Sequence, residues 1–358
     1  MSLPHIIQYT CQRNNAIGLK SRENMSSSSN HPYDALTPDT VLDAVESQGY
    51  LSDARILALN SYENRVYQVG IDDAQPVIAK FYRPQRWSDE QILEEHLFTH
   101  ELADLEIPVV PPLSIDNKST LMKHHAQNGS EFRFAIYPRR GGQAPELDNY
   151  DNLLILGRCM GRIHAAGRKQ MFTERPTVTV ESYAVESYRF LLEHEFIPQE
   201  LIEAYRSLSE DLIARVQQVF ESTPYQGLRL HGDCHPGNIL WRDGAPHFVD
   251  FDDARNGPAV QDLWMLLSGD RQQQTAQISE IVEGYRQFCD FNLAELALIE
   301  SLRTMRIMHY AAWLARRWDD PAFPHNFPWF NTLRYWSDHI LELREQLAAM
   351  NEPTLVVY

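Results

Sequence analysis

The segment His231-Gly232-Asp233-Cys234-His235-Pro236-Gly237-Asn238-Ile239-Leu240-Trp241, followed after a short turn by Phe248-Val249-Asp250, constrains this chain more than any other feature. Asn238 to Trp241 and Pro246 to Asp250 read as two short apolar strands. Asp243-Gly244 between them is a strong hairpin signal because Gly tolerates positive φ. Asn238 and Asp250 lie six residues either side of Gly244, so a symmetric hairpin seats them opposite one another at its open end. Asp233 precedes Asn238 by five residues, across a Pro236-Gly237 turn that folds the chain back toward the same point. Three oxygen-bearing side chains are thereby expected to converge. A carboxylate and an amide oxygen suit a hard cation such as Mg²⁺, which keeps waters and substrate phosphates as its remaining ligands. The other Asp is then free to act on an acceptor hydroxyl, and the expected chemistry is metal-assisted phosphoryl transfer.

An arbitrary cluster of Gly, Pro, Asp and Asn is more often a solvated loop. The mirrored Asn238 and Asp250, with Lys80 upstream, argue for the metal site here. Two rival metal readings fare worse. An EF-hand loop begun at Asp250 needs Gly at its sixth place and Glu at its twelfth, where Arg255 and Gln261 stand. His231, Cys234 and His235 lack the second Cys/His pair that a zinc site requires.

Val77-Ile78-Ala79-Lys80-Phe81-Tyr82 reads as a strand whose alternation puts Ile78, Lys80 and Tyr82 on one face. A Lys in such a run is either an edge-strand device against aggregation or a functional cation. Ser88-Asp89-Glu90-Gln91 is a capping-box pattern opening a helix through about Leu105, with Ile92, Leu93, Leu97, Phe98, Leu102 and Leu105 supplying apolar contacts. Glu94 and Glu95 both border that apolar surface, and periodicity does not choose between them.

These stretches resemble the kinase-like fold shared by aminoglycoside phosphotransferases, choline kinases and protein kinases. Within it they resemble a family of bacterial Ser/Thr protein kinases of the stress response. The likeness runs from about Leu36 to Trp329 and rests on four runs: Asn60 to Gln68, Lys80-Phe81-Tyr82-Arg83-Pro84, the loop described above, and Asp252 to Trp264. It implies an α+β, bilobal, protein-kinase-like fold with a small β-rich N-lobe and a mainly helical C-lobe. It further implies that Asp233 is the catalytic base, that Asn238 and Asp250 bind Mg²⁺ with Asp250 also counted as catalytic, and that Lys80 holds the ATP phosphates. One Glu of the helix would orient Lys80, and spacing to Ile107-Pro108-Val109 favours Glu95. Asp262 would be a structural partner of the catalytic loop. It follows Asp250 by only 12 residues, which leaves little room for a phosphorylatable activation segment. Asp253 is expected to be solvated, while Asp252 is left open between solvent and the metal's waters.

The chain departs from protein kinases in having no G-x-G-x-x-G. Asn60 to Arg65 occupies the corresponding turn, and Ser61 is the expected phosphate contact there. There is no Walker A sequence either.

Composition sets outer bounds. With 358 residues, 43% hydrophobic and 23% charged, the chain is long enough for two cores. Its formal charge of −17, from 32 basic and 49 acidic residues, argues against binding nucleic acid or anionic membrane and mildly favours cationic acceptors. No apolar run reaches the ~20 residues of a membrane helix, and no secretory signal opens the chain. Cys11, Cys159, Cys234 and Cys289 have no framework spacing, so a reduced cytoplasmic protein is expected, with Cys234 a packed thiol.

The expected organisation is a disordered N-terminal extension over 1–30, an ATP-binding N-lobe over 31–138, a catalytic and acceptor-binding C-lobe over 139–345 and a tail over 346–358. The resemblance places its family's start at Met25, and whether residues 1–24 are native stays open. Tyr137 to Gly142 is the expected hinge, with backbone groups that meet an adenine. In the C-lobe, Leu153, Leu156, Met160 and Ile163 repeat at helical spacing, Gly157 and Gly161 permit close packing, and His164 reads as a satisfied interior histidine.

The leading expectation is a monomeric Ser/Thr protein kinase with ATP as co-substrate, Mg²⁺ as cofactor and protein hydroxyls as acceptors. The alternative is a small-molecule kinase for an aminoglycoside, choline or another amino alcohol, since one fold hosts both. A non-catalytic nucleotide-binding module is disfavoured by the joint presence of Lys80, Asp233, Asn238 and Asp250.

Overall fold

A computed structural model describes residues 33–59, 61–114 and 119–358. The expectations for the 1–30 extension, Cys11 and Asn60 lie outside the described residues. The chain divides into two compact units, one running to Pro145 and including Pro236–Asp252 and Ser268–Asp270, the other holding the remainder.

The first unit is built on an antiparallel sheet. Helix α1 (Pro38–Glu46) starts at Thr37, whose hydroxyl accepts from Thr40 N, with Pro38 in the first turn where its missing N–H costs nothing. Strands β1 (Ser52–Ala58), β2 (Arg65–Ile71), β3 (Val77–Phe81), β4 (Met122–His125) and β5 (Glu131–Pro138) lie in the order β1-β2-β3-β5-β4. Lys80 sits on the central strand, opposite Val66 on one side and Ala135 on the other, so it is not an edge lysine. Phe81, Phe132 and Phe134 fill the sheet's core, with the Phe81 and Phe134 rings stacked at 5.3 Å.

Helix α2 (Asp89–Asp104) follows β3 and is opened by the full capping box of Ser88 and Gln91. Ile92, Phe98 and Leu102 are buried as expected, but Leu97 is 70% exposed and Leu105 caps the helix half in solvent. Glu95, His96 and Thr99 are buried beside the apolar residues, so polar groups share the packed face of the helix while Leu97 lies off it.

Strands Ile239–Arg242 and Ala245–Phe248 form the expected hairpin, with Asp243 at φ 52 and Gly244 at φ 76. Two successive positive φ values describe a two-residue type I′ turn, whose twist matches that of the strands. Its centre falls between Asp243 and Gly244 rather than on Gly244. The register therefore pairs Ile239 with Phe248, and Asn238 O accepts from Val249 N at 3.0 Å. Asn238 and Asp250 are not cross-strand partners, a correction of one residue. The outer strand is tied to the turn after α2, with Phe248 N donating to Pro108 O at 2.8 Å and Val110 N to Phe248 O at 3.2 Å.

The second unit is mainly helical. It holds helices α3 (Tyr150–Gly167), α4 (Glu186–Glu193), α5 (Ile202–Ser222), α6 (Arg271–Tyr285), α7 (Ile299–Ala315) and α8 (Leu333–Ala349) and a short strand pair, Leu228–Leu230 with Arg255–Gly257. The backbones of α3 and α6 touch. A Cβ on Gly157 would stand 2.1 Å from Ile281 O, and one on Gly161 2.4 Å from Tyr285 O. Among the described residues no helix is long and apolar enough to cross a membrane.

Candidate active site

The expected site residues divide between the units: Ser61, Lys80, Glu95, Asn238 and Asp250 in the first, Asp233 in the second.

In the first unit, Lys80 is the buried centre of an ionic network. Its Nζ donates to Asp250 Oδ1 at 2.9 Å and lies 3.1 Å from Asp252 Oδ1. Burial alone would push its pKa down, but Asp250 and Asp252, helped by Tyr137 and Glu95, outweigh burial and hold the ammonium well above its ordinary value. The aliphatic and cationic end passes 5.3 Å from the Tyr82 ring, on the shared face that strand alternation requires. Asp252 is buried and also pairs with Arg86 through its other oxygen, so it is neither solvated nor idle. Arg86 Nε in turn lies 3.8 Å from Glu63 Oε1, and Arg83 Nε lies 3.2 Å from the same oxygen.

That network reaches the glycine-free turn. Asn64 is buried and its Oδ1 accepts from Arg83 N at 3.1 Å, while Arg83 Nε donates to Glu63 O at 3.0 Å. Ser61 Oγ donates to Asn64 O at 3.1 Å. Ion pairs therefore stabilise this turn where a protein-kinase loop relies on glycine conformations. Glu95 is buried on α2, whereas Glu94 is half-buried. Among the described residues, the carboxylates within ion-pair distance of Lys80 are those of Asp250 and Asp252.

Asp250 ends the hairpin in a left-handed conformation, φ 59, and its side chain is 53% exposed. Lys80 holds one of its oxygens. Among the described residues no three His, Cys, Asp or Glu side chains form a metal cage. A half-exposed carboxylate and the Asn238 amide oxygen fit a hard cation that keeps water and phosphate ligands, and they do not fit zinc.

In the second unit, Asp233 stands on the loop after Leu228–Leu230. Asp262 is fully buried and holds that loop: its Oδ2 accepts from His231 N at 2.8 Å and its Oδ1 from Gly232 N at 2.8 Å. His164 joins the same carboxylate through Nε2 at 3.0 Å and meets the Tyr285 hydroxyl through Nδ1 at 3.0 Å. It is the satisfied interior histidine that its helical position suggests. Cys234 is buried against Met160, 3.8 Å from its sulfur, and burial pushes the thiol well above its ordinary pKa. It is a packed thiol.

Asp233 accepts from Arg306 on α7, and His235 Nε2 lies 3.6 Å from its other oxygen. Burial would raise its pKa, but Arg306 and His235 outweigh burial and hold the carboxyl below its ordinary value. Nearby, Arg255 pairs with Asp253 and lies 5.2 Å over the Tyr183 ring. His309, tilted against that ring with centroids 4.7 Å apart, is kept neutral by burial and by Arg255, its pKa lowered to about 3. Sequence reasoning missed Arg86, Glu63 and Arg306. The one local signal was an arginine beside apolar helical positions, as Arg306 follows Met305 on a largely buried helix.

Residues 55–299 match the phosphotransferase enzyme family. The chain is 47% identical over 323 residues to stress response kinase A of Escherichia coli strain K12, covering 90% of this chain and 96% of that protein. It is 46% identical over the same length to "Serine/threonine protein kinase RdoA" of Salmonella typhimurium strain LT2, with the same coverage. Among solved structures it resembles the amicoumacin kinase hAmiN in complex with AMP-PNP, Ca²⁺ and Ami, with TM-score 0.67, 19% identity and coverage of 85% of this chain and 93% of that one. A microcompartment-associated aminopropanol kinase gives TM-score 0.65 at 15% identity, covering 85% and 95%. At these identities the structural likeness establishes the fold, an α+β kinase fold with a β-sheet N-terminal part and a helical C-terminal part. By sequence along most of its length, this chain belongs to the phosphotransferase enzyme family.

Proposed function

We propose that this protein is an ATP- and Mg²⁺-dependent Ser/Thr protein kinase acting in a bacterial stress response. The observation that carries the reading is 47% identity along 90% of the chain to stress response kinase A, together with the presence of Lys80, Asp233, Asn238 and Asp250. The name of the Salmonella relative supports Ser/Thr hydroxyls as acceptors.

In this mechanism Lys80 offsets charge on the ATP phosphates, Ser61 and its stapled turn cover them, and Glu95 adds to the anionic surroundings of Lys80. Asn238 and Asp250 hold the Mg²⁺, which supplies charge neutralisation at the phosphates. Asp233 aligns the acceptor hydroxyl and takes its proton. Phosphoryl transfer passes through a loose transition state, so a base of low pKa suffices when positioning is good. A depressed Asp233 is consistent with that role. We place the protein in the cytoplasm as a monomer.

The test is incubation with labelled ATP and Mg²⁺, with proteins of differing charge in one series and amino alcohols and aminoglycosides in another, and the Asp233→Asn protein as control. Phosphoserine or phosphothreonine that depends on Asp233 is the expected result. Turnover of one small molecule with no protein label overturns it.

A further inference from the structure

The acidic total charge points to cationic partners, but the surroundings of Asp233 within its own unit do not. Arg306 reaches Asp233 from α7 and hydrogen-bonds to it, with Tyr183 and Asp253 adding electrostatic attraction. Its side chain is 42% exposed, and a guanidinium carries five N–H donors in a planar fork. Donors beside the base therefore remain open to solvent.

The other groups nearby give a cationic acceptor no foothold. The Asp253 carboxylate is paired with Arg255 at 2.6 Å. The Tyr183 face that could bind a cation is already covered by Arg255, and His309 packs on the same ring. An ammonium brought next to Asp233 would meet Arg306 and His235, like charges or donors.

We propose that Arg306 is a specificity-determining residue that binds a carboxylate carried beside the acceptor hydroxyl, so that the favoured substrates are Ser/Thr segments flanked by Asp or Glu. Arginine suits this task because its fork matches a carboxylate in two-point geometry while one edge stays on Asp233. The inference rests on the protein-kinase reading and narrows its substrate class.

The experiment uses the full chain and two Ser peptides differing only in flanking residues, Asp/Glu or Lys/Arg. KM and kcat for each peptide, and KM for ATP, are measured for the parent, Arg306→Lys and Arg306→Glu, with folding checked by melting. The parent is expected to favour the acidic peptide by roughly tenfold or more in kcat/KM, mostly through KM, as a charge-assisted contact implies. Arg306→Lys keeps the direction of preference and Arg306→Glu reverses it. Label on both peptides without charge preference overturns the role of Arg306 while leaving the protein-kinase reading intact. A change confined to KM for ATP also overturns it, by moving Arg306 to the nucleotide. An amino alcohol is assayed alongside the peptides, and its turnover with neither peptide labelled overturns both readings.

Discussion

Lys80 Nζ and Asp252 Oδ1 stand 3.1 Å apart inside the N-terminal unit, and the same carboxylate pairs with Arg86. Asp252 thus bridges two cations, Lys80 through one oxygen and Arg86 through the other. Removing one member of a buried ionic network leaves the others uncompensated, at a cost of about 3–5 kcal/mol. The Asp252→Ala protein is expected to lose stability on that scale and to bind ATP more weakly. Chemical denaturation and nucleotide titration check this, and unchanged values in both would reduce Asp252 to a loop carboxylate.

Asp233→Asn keeps the shape of the side chain but removes the carboxylate that accepts from Arg306. The protein is expected to fold, to bind Mg·ATP as the parent does, and to lose phosphotransfer by at least ~10²-fold. Single-turnover labelling alongside nucleotide binding separates the two effects. Full activity in the variant would assign the base elsewhere.

Asp262 satisfies two backbone N–H groups and His164 in a site without solvent. Asp262→Ala orphans all three, and a loss of about 3–5 kcal/mol or failure to fold is expected. Near-parental melting would show that water had replaced the carboxylate.

Gly157→Ala places a methyl 2.1 Å from Ile281 O, a backbone atom that no rotamer change can move aside. Separating α3 from α6 is expected to cost about 3 kcal/mol, the upper range for overpacking. Equilibrium unfolding measures it, and a stabilising outcome would contradict the close approach of the two helices.

Glu295 is buried and accepts from Val260 N at 3.1 Å, and burial raises its pKa from 4.5 to about 7. The folded chain therefore binds a proton more tightly than the unfolded chain. On this account stability falls as pH rises from the unfolded value toward 7 and changes no further above it. Glu295→Gln is expected to exceed the parent by up to about 3 kcal/mol above pH 7, with the gap closing in acid. A gap independent of pH would place the effect in packing.

The local devices of this fold are written in short stretches of chain. Ser88 and Gln91 cap α2 because both partners of a capping box lie within one turn, and Asp243-Gly244 makes the hairpin because two adjacent residues supply both positive φ values. Gly157 and Gly161 mark a close approach because only they lack a Cβ on that face of α3. Even the hairpin shows the limit of such reading: turn type decided the register, and counting symmetrically about Gly244 missed it by one residue.

What the tertiary structure alone decided is which charges meet. Arg86 and Asp252 are 166 residues apart in sequence, and Arg306 and Asp233 are 73 apart. No periodicity or propensity links residues at such separations, because helix and strand patterns report only which face a residue occupies. Pairing follows from how the faces are brought together, and a buried charge is stable only beside the partner found there. The chemical groups were therefore legible in the sequence, while their partners, and with them the holding of Lys80 by Asp252 and of Asp233 by Arg306, came from packing.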